Sequence, residues 1–164
     1  MATEIEHKYI VTSDEYRTGS IEQQRYIQGY LTTSKECVVR VRIAGERAVL
    51  TIKGENRGAS RQEYEVDITI DMAQSMLHHM SITPIIDKTR YIYPYRGHRW
   101  EIDCFHGDNE GLVIAEIELQ SEDVEYELPP FVGKNVTGIA RYYNSNLAQR
   151  PFKQWSIEEQ CGVD

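Results

Sequence analysis

Charged and apolar residues alternate at the start of the sequence, in a spacing that could bind ions on one surface. The segment reads EIEHKYIV from Glu4 onward. Its β-branched and aromatic residues favour a strand, in which every second side chain lies on the same face. Glu4, Glu6 and Lys8 therefore share one face, which presents two carboxylates and one ammonium group.

Cations recur at the same spacing in three later segments. In chain order they are Arg40 and Arg42, then Lys53, then Lys88 and Arg90. Such basic faces suit phosphate oxygens, because a guanidinium group can donate two parallel hydrogen bonds to one phosphate.

Carboxylates also recur in pairs two residues apart. The pairs are Glu63 and Glu65 (preceded by Arg61), Glu101 and Asp103, and Glu116 and Glu118. Hard divalent cations take oxygen ligands, so the acidic faces suit a metal ion. For any single strand, the solvent-exposed face of a half-buried sheet is the simpler interpretation. Like charges side by side destabilise a sheet, however, and their repetition favours one shared site for a metal–polyphosphate complex.

The elements that must position these side chains are mostly strands. Eight are predicted, over residues 3–11, 25–31, 37–44, 47–53, 61–70, 84–93, 99–105 and 112–120. Helices are predicted over 71–80 and 137–149, and Ser156 and Glu159 have the spacing of a capping box. For the charged faces to converge, the sheet must close with its polar side inward. The predicted fold is therefore an α+β, mostly antiparallel, eight-stranded closed β-barrel with a charged interior and a few flanking helices.

Length and composition restrict the remaining possibilities. The 164 residues suit one domain, with the barrel strands over about 3–120 and helical segments over about 137–160. The formal net charge of −8 argues against a nucleic-acid-binding surface. No apolar run approaches the roughly 20 residues of a membrane helix. Three dispersed cysteines without a signal peptide predict a cytoplasmic protein, and a homodimer is possible for a β-rich domain of this size.

The ordered set of motifs resembles the CYTH superfamily, the triphosphate tunnel metalloenzymes. ExExK at the N-terminus is followed in order by RxR, a lysine strand, RxExE, KxR, ExD and ExE, and the stretches QGYL, TIKG, KTRY and RYYN are also similar. The likeness is greatest to the short bacterial inorganic tripolyphosphatases. It implies an eight-stranded antiparallel tunnel that binds a triphosphate with Mg²⁺ or Mn²⁺.

These patterns assign roles to the charged residues. The predicted phosphate-binding residues are Lys8, Arg40, Arg42, Lys53, Arg61, Lys88 and Arg90. The predicted metal ligands are Glu4, Glu6, Glu63, Glu65, Asp103, Glu116 and Glu118, although Glu65, like Glu101, could equally be a salt-bridged support. Lys8 and Lys53 are candidate bases, because two neighbouring lysines disfavour each other's charge, and Tyr30 is a possible partner. A metal-bound carboxylate is the alternative base.

The predicted function is Mg²⁺-dependent hydrolysis of inorganic tripolyphosphate to pyrophosphate and phosphate. A class IV adenylate cyclase or a thiamine triphosphatase is an alternative that acts on an organic triphosphate. A third possibility is a non-catalytic polyphosphate-binding module. That module would tolerate loss of the metal carboxylates, whereas this chain has every acidic pair, which favours catalysis.

Overall fold

Nine antiparallel strands form one sheet in the computed structural model, which describes residues 5–34, 36–55 and 62–162. The strands are β1 (Ile5–Val11), β2 (Glu22–Thr33), β3 (Cys37–Ala44), β4 (Arg47–Gly54), β5 (Glu63–Ile68), β6 (Ile86–Tyr95), β7 (His98–Phe105), β8 (Val113–Leu119) and β9 (Val132–Asn135). Their order across the sheet is β5-β4-β3-β2-β6-β7-β8-β1-β9. The predicted antiparallel, β-rich α+β class is therefore confirmed.

The observed sheet differs in two details from the predicted eight-stranded closed barrel. A ninth strand, β9, pairs with β1, and no ladder joins β5 to β9 among the described residues, so the sheet is open. β9 has only four residues, and two of them are Gly133 and Asn135, which are uncommon in strands. Closure of the barrel would require the two edge strands, β5 and β9, to pair with each other. The alternation of charges along a strand does not predict which strands pair.

The sheet is strongly curved, so that its two edges approach one cavity. Glu65 on β5 and Glu6 on β1 lie near opposite ends of the strand order, yet both line the same space. Apolar residues on the alternate positions form the protein core on the outer face. Trp100 and Ile102 on β7, for example, are fully buried there and flank Glu101, which points inward.

Helices cover parts of this outer apolar face. Helix α1 (Tyr16–Gly19) buries Tyr16 against Phe131, with ring centroids 5.9 Å apart. Helix α2 (Ile70–His79) buries Ala73 and Leu77 in the cluster that contains Val41. The helix predicted over 71–80 is thus confirmed. No helix within the described residues is long and apolar enough to cross a membrane.

The C-terminal region is less helical than its sequence suggests. Only α3 (Asn144–Gln149) forms within the predicted helix 137–149, preceded by a 3-10 turn at Ala140–Tyr142. The reason is local, because Gly138 has φ +78° and Tyr143 is extended with ψ 139°. Helix α4 (Ile157–Gln160) begins with the predicted capping box, in which the Ser156 hydroxyl accepts a hydrogen bond from the Glu159 amide.

Candidate active site

The inward faces of eight strands, β1 to β8, surround a cavity of about 580 Å³. The cations that line it are Lys8, Arg40, Arg42, Lys53, Lys88 and Arg90. The carboxylates that line it are Glu6, Glu63, Glu65, Glu101, Glu116 and Glu118. The prediction that the charged faces converge on one interior space is therefore confirmed.

Strand β3 supplies two arginines whose contacts leave donors available. The Arg40 Nη2 donates to Thr51 Oγ1 at 3.2 Å, and Thr51 in turn donates to Glu65 at 3.2 Å. The Arg42 Nε donates to Gln28 Oε1 at 3.3 Å. Burial, together with the neighbouring charges of Arg40 and Arg90, lowers the pKa of Arg42. Arg42 therefore carries a poorly compensated positive charge.

Strand β6 supplies a cation pair that is already neutralised. The Lys88 ammonium lies 2.5 Å from Asp103 Oδ2, and Arg90 donates to both oxygens of Asp103 at 2.7 Å. Arg90 also contacts Glu116 at 2.9 Å and pairs with Glu101. Burial opposes the ionisation of Asp103, but Lys88 and Arg90 outweigh it and hold the pKa of Asp103 well below its usual range. This cluster is a buried, saturated ion-pair network.

Strands β1 and β8 place an ammonium between two carboxylates. Lys8 faces Glu116 in the strand register, and its Nζ lies 2.5 Å from Glu116 and 2.7 Å from Glu6. Burial lowers the pKa of Lys8, but Glu116 and Glu6 outweigh it, so the pKa is raised. Burial and the nearby Glu116 raise the pKa of Glu6, against the opposing effect of Lys8. These two carboxylates favour the charged form of Lys8.

Lys53 is likewise paired with a carboxylate. It faces Glu63 across the β4–β5 ladder, with Nζ to Oε2 at 3.0 Å. Lys8 and Lys53 are thus each paired with carboxylates. The prediction of a lysine base assumed instead that the two lysines lie next to each other and lower each other's pKa. The role of either lysine as the base stays a prediction.

Tyr30 lines the cavity from β2 and is 7% exposed. Burial raises the pKa of its hydroxyl, although Arg40 and Arg42 act in the opposite direction. Tyr30 therefore keeps its proton at neutral pH and can donate a hydrogen bond into the cavity.

Three carboxylates on one side of the cavity are chemically suited to bind a hard divalent cation. Glu6, Glu116 and Glu118 lie on two adjacent strands, with Glu6 facing Glu118 in register, and all three offer oxygen ligands. Over residues 5–34, 36–55 and 62–162, no three carboxylate, imidazole or thiol side chains converge closely enough to hold a metal ion by themselves. An ion held here needs further oxygen ligands, and phosphate groups can supply them.

Comparison with known proteins agrees with this architecture. The model of the CYTH domain matches residues 2–152. The chain belongs to the CYTH family. An inorganic triphosphatase of Acetivibrio thermocellus is 43% identical over 155 residues, which cover 94% of this chain and 99% of the relative. An inorganic triphosphatase of Nitrosomonas europaea is 36% identical over 150 residues, covering 89% and 97%. The crystal structure of the inorganic triphosphatase NE1496 superimposes with a TM-score of 0.72 and 34% identity, covering 90% of this chain and 95% of that chain.

Most of the predicted site residues of this CYTH domain line the one cavity. Among the described site residues Asp103 is the exception, because it is fully buried and its two oxygens contact Lys88 and Arg90. Its complete burial outside the cavity lining suits a supporting carboxylate better than a metal ligand. Glu4 and Arg61 lie outside the described residues. Glu65 forms an ion pair with Arg40, with Oε1 3.9 Å from Nη2, as expected for the alternative role of a salt-bridged support.

Sequence reasoning missed the uncharged residues that hold the arginines of the CYTH domain. Gln28 and Thr51 are fully buried and hydrogen-bond to Arg42 and Arg40. Tyr26 lies with its ring centroid 5.4 Å from the guanidinium carbon of both Arg42 and Arg90. The available signal for Tyr26 and Gln28 was their alternation along β2, and for Thr51 its position two residues before Lys53 on β4.

Proposed function

We propose that this chain is a metal-dependent hydrolase that cleaves inorganic tripolyphosphate to pyrophosphate and phosphate in the central cavity. The observation that carries the proposal is the composition of the cavity wall, in which cations and carboxylates from seven strands face one space. Its family relatives support the proposal, because two that align over nearly their whole length are inorganic triphosphatases.

The cations act by holding and neutralising the phosphate chain. Arg40, Arg42 and Lys53 offer donors from adjacent strands, and Tyr30 adds a neutral donor between them and the opposite wall. Phosphoryl transfer is catalysed mainly by positioning and by electrostatic stabilisation, so a preorganised set of donors is the expected machinery. Water attacks the terminal phosphorus, the bridging P–O bond breaks, and pyrophosphate leaves with the electron pair of that bond.

The carboxylates Glu6, Glu116 and Glu118 would hold Mg²⁺ or Mn²⁺ at the β1–β8 side of the cavity. A divalent cation supplies positive charge to phosphate oxygens and makes water more acidic. Lys8 lies between Glu6 and Glu116 and offsets part of the repulsion between these two carboxylates. Asp103 holds Lys88 and Arg90 in place through ion pairs with both.

The test is phosphate release from tripolyphosphate, ATP and thiamine triphosphate, each with Mg²⁺, with Mn²⁺ and with a chelator. We expect rapid release from tripolyphosphate that needs a divalent cation. Equal rates on all three substrates would favour an enzyme for organic triphosphates. Tight binding of tripolyphosphate without any release would identify a non-catalytic polyphosphate-binding module.

Replacement of Lys53 by Met tests the site directly. We expect K53M to lose turnover while its melting temperature stays within a few degrees of that of the wild type, because Lys53 is only partly buried. The matched control is K153M, since Lys153 is exposed and its contact with Glu110 lies outside the cavity. Unchanged hydrolysis by K53M would remove Lys53 from the catalytic machinery.

A further inference from the structure

The arginines that line the cavity are held in two different ways. Arg90 is held by carboxylates, with Asp103 on Nε and Nη2, Glu116 on Nη2 and Glu101 on Nη1. These contacts use its donors and compensate its charge. Arg42 has no carboxylate within ion-pair distance among the described residues, although it lies in the same cavity wall.

Uncharged groups on β2 take the place of the carboxylate for Arg42. Gln28 faces Arg42 across the β2–β3 ladder and accepts a hydrogen bond from its Nε at 3.3 Å. The Tyr26 ring lies two residues earlier on the same face, with the guanidinium carbon 5.4 Å from its centroid. A ring and an amide oxygen orient a guanidinium group without neutralising it.

We propose that Gln28 and Tyr26 are positioning residues that hold Arg42 through uncharged contacts, so that its terminal N–H groups and its full charge stay available to the triphosphate. This inference rests on the proposed function, because it names residues that prepare the same cavity for its substrate. Neither residue needs to touch the substrate, since Gln28 is fully buried behind Arg42.

The orientation of the Gln28 amide makes a sharp experiment possible. A guanidinium group only donates, so the Gln28 oxygen must face Arg42. Its Nε2 is buried, and the neighbouring polar group on that side is the hydroxyl of Tyr30. Gln28→Glu is nearly isosteric, keeps oxygens that can accept from Arg42 and from the Tyr30 hydroxyl, and adds the ion pair that Arg42 lacks.

If Gln28 only satisfies a buried arginine, Q28E should keep its substrate affinity, because a charge-assisted bond replaces a neutral one. The proposal requires the opposite result for binding. We expect the melting temperature of Q28E to be unchanged or raised, while tripolyphosphate binds about tenfold or more weakly and KM rises more than kcat falls. Q74E on the exposed face of α2 controls for one added negative charge and should bind like the wild type.

Tyr26 provides a second and independent test. Tyr26→Phe keeps the ring and should retain most of the affinity for tripolyphosphate, whereas Tyr26→Leu removes the ring and should raise KM about three- to tenfold. Binding is measured by calorimetry with tripolyphosphate and Ca²⁺, so that turnover is not required, and KM is measured with Mg²⁺.

The outcomes separate this inference from the proposed function. Wild-type protein that neither binds nor cleaves tripolyphosphate would refute the proposed function itself. Wild-type protein that does both, with folded Q28E and Y26L that bind as tightly as it does, would overturn the inference and leave the proposed function intact.

Discussion

Lys8 and Glu116 face each other on neighbouring strands, and the Lys8 ammonium lies 2.5 Å from Glu116 Oε1. The same ammonium lies 2.7 Å from Glu6, so one lysine bridges two buried or half-buried carboxylates. An opposite charge between the two acids offsets part of their mutual repulsion. This relationship gives Lys8 an electrostatic role that can be distinguished from that of a base.

Replacement of Lys8 by Arg and by Met separates these roles. Because Glu116 and Glu6 raise the pKa of Lys8, we expect it to act as a cation. K8R should then keep a measurable part of the activity, and K8M should lose roughly 100-fold or more in kcat. The measurement is the pH profile of kcat for both variants. Total inactivity of K8R, with the acidic limb of the profile missing in K8M, would indicate a base instead.

Glu118 should govern the requirement for the divalent cation. It lines the carboxylate-rich part of the cavity and faces Glu6 in the β1–β8 ladder. We expect E118Q to need at least roughly tenfold more Mg²⁺ or Mn²⁺ for half-maximal activity, because one oxygen ligand loses its charge. Activity is titrated against each metal. E110Q, at an exposed glutamate outside the cavity, should keep the wild-type requirement, and an unchanged titration curve for E118Q would exclude Glu118 as a ligand.

Asp103 should matter more to stability than any other acid of the site. Asp103→Asn leaves the fully buried Lys88 without its carboxylate, and the loss of one partner of a buried ion pair costs about 3–5 kcal/mol. Urea unfolding at neutral pH measures this difference. A loss below about 1 kcal/mol, the range of a surface pair, would contradict the buried network.

The stability contributed by Asp103 should also depend on pH. Its pKa is lowered in the folded protein, so its contribution is present above the pKa of the unfolded state, near 4, and is lost as the pH falls through the lower folded value. We therefore expect the difference in unfolding free energy between wild type and D103N to be constant from pH 6 to 7 and to shrink below about pH 4. Urea titrations at pH 7, 5 and 3.5 test this.

Gly29 should be required for packing on the outer face and not for chemistry. A Cβ at this position would lie 2.7 Å from Ser81 Oγ and 2.8 Å from Leu77 Cδ2. We expect G29A to lose about 1–3 kcal/mol of unfolding free energy from overpacking, with kcat preserved in the folded fraction. G54A is the matched control, since the nearest atom to its Cβ would be 3.8 Å away. Equal stability of the two variants would contradict the close contact with Leu77.

The alternation of charges was sufficient to predict the inward faces of the strands. Arg40, Glu63 and Glu118 are far apart in the sequence, and all three line the cavity because each shares the period of two with its strand. The same logic missed Gln28 and Tyr26, because uncharged polar residues at inward positions look like an ordinary solvent-exposed face. It also placed Asp103 among the predicted metal ligands, because spacing alone cannot distinguish a side chain that lines the cavity from one that is buried beside it.

Pairing between strands that are distant in the sequence was the second feature that the sequence patterns did not predict. The open sheet depends on how the short β9 meets β1, where the register shifts between Tyr9 and Val11. That irregularity arises from contacts more than a hundred residues apart, such as the Thr12 amide donating to Phe131 O at 2.8 Å. No local pattern records such a contact. The 3-10 turn at Ala140–Tyr142 was missed for a related reason, since the apolar spacing of this segment also suits a helix.

One side of β5 pairs with no strand among the described residues, which has a consequence for the behaviour of the protein at high concentration. An exposed strand edge is a template onto which another copy can add a strand and begin a fibril. Glu63, Glu65 and Asp67 occupy alternate positions of β5, so two such edges brought together would set rows of anions against each other. The carboxylates that suit the strand to ion binding thereby also disfavour the addition of a second copy at this edge.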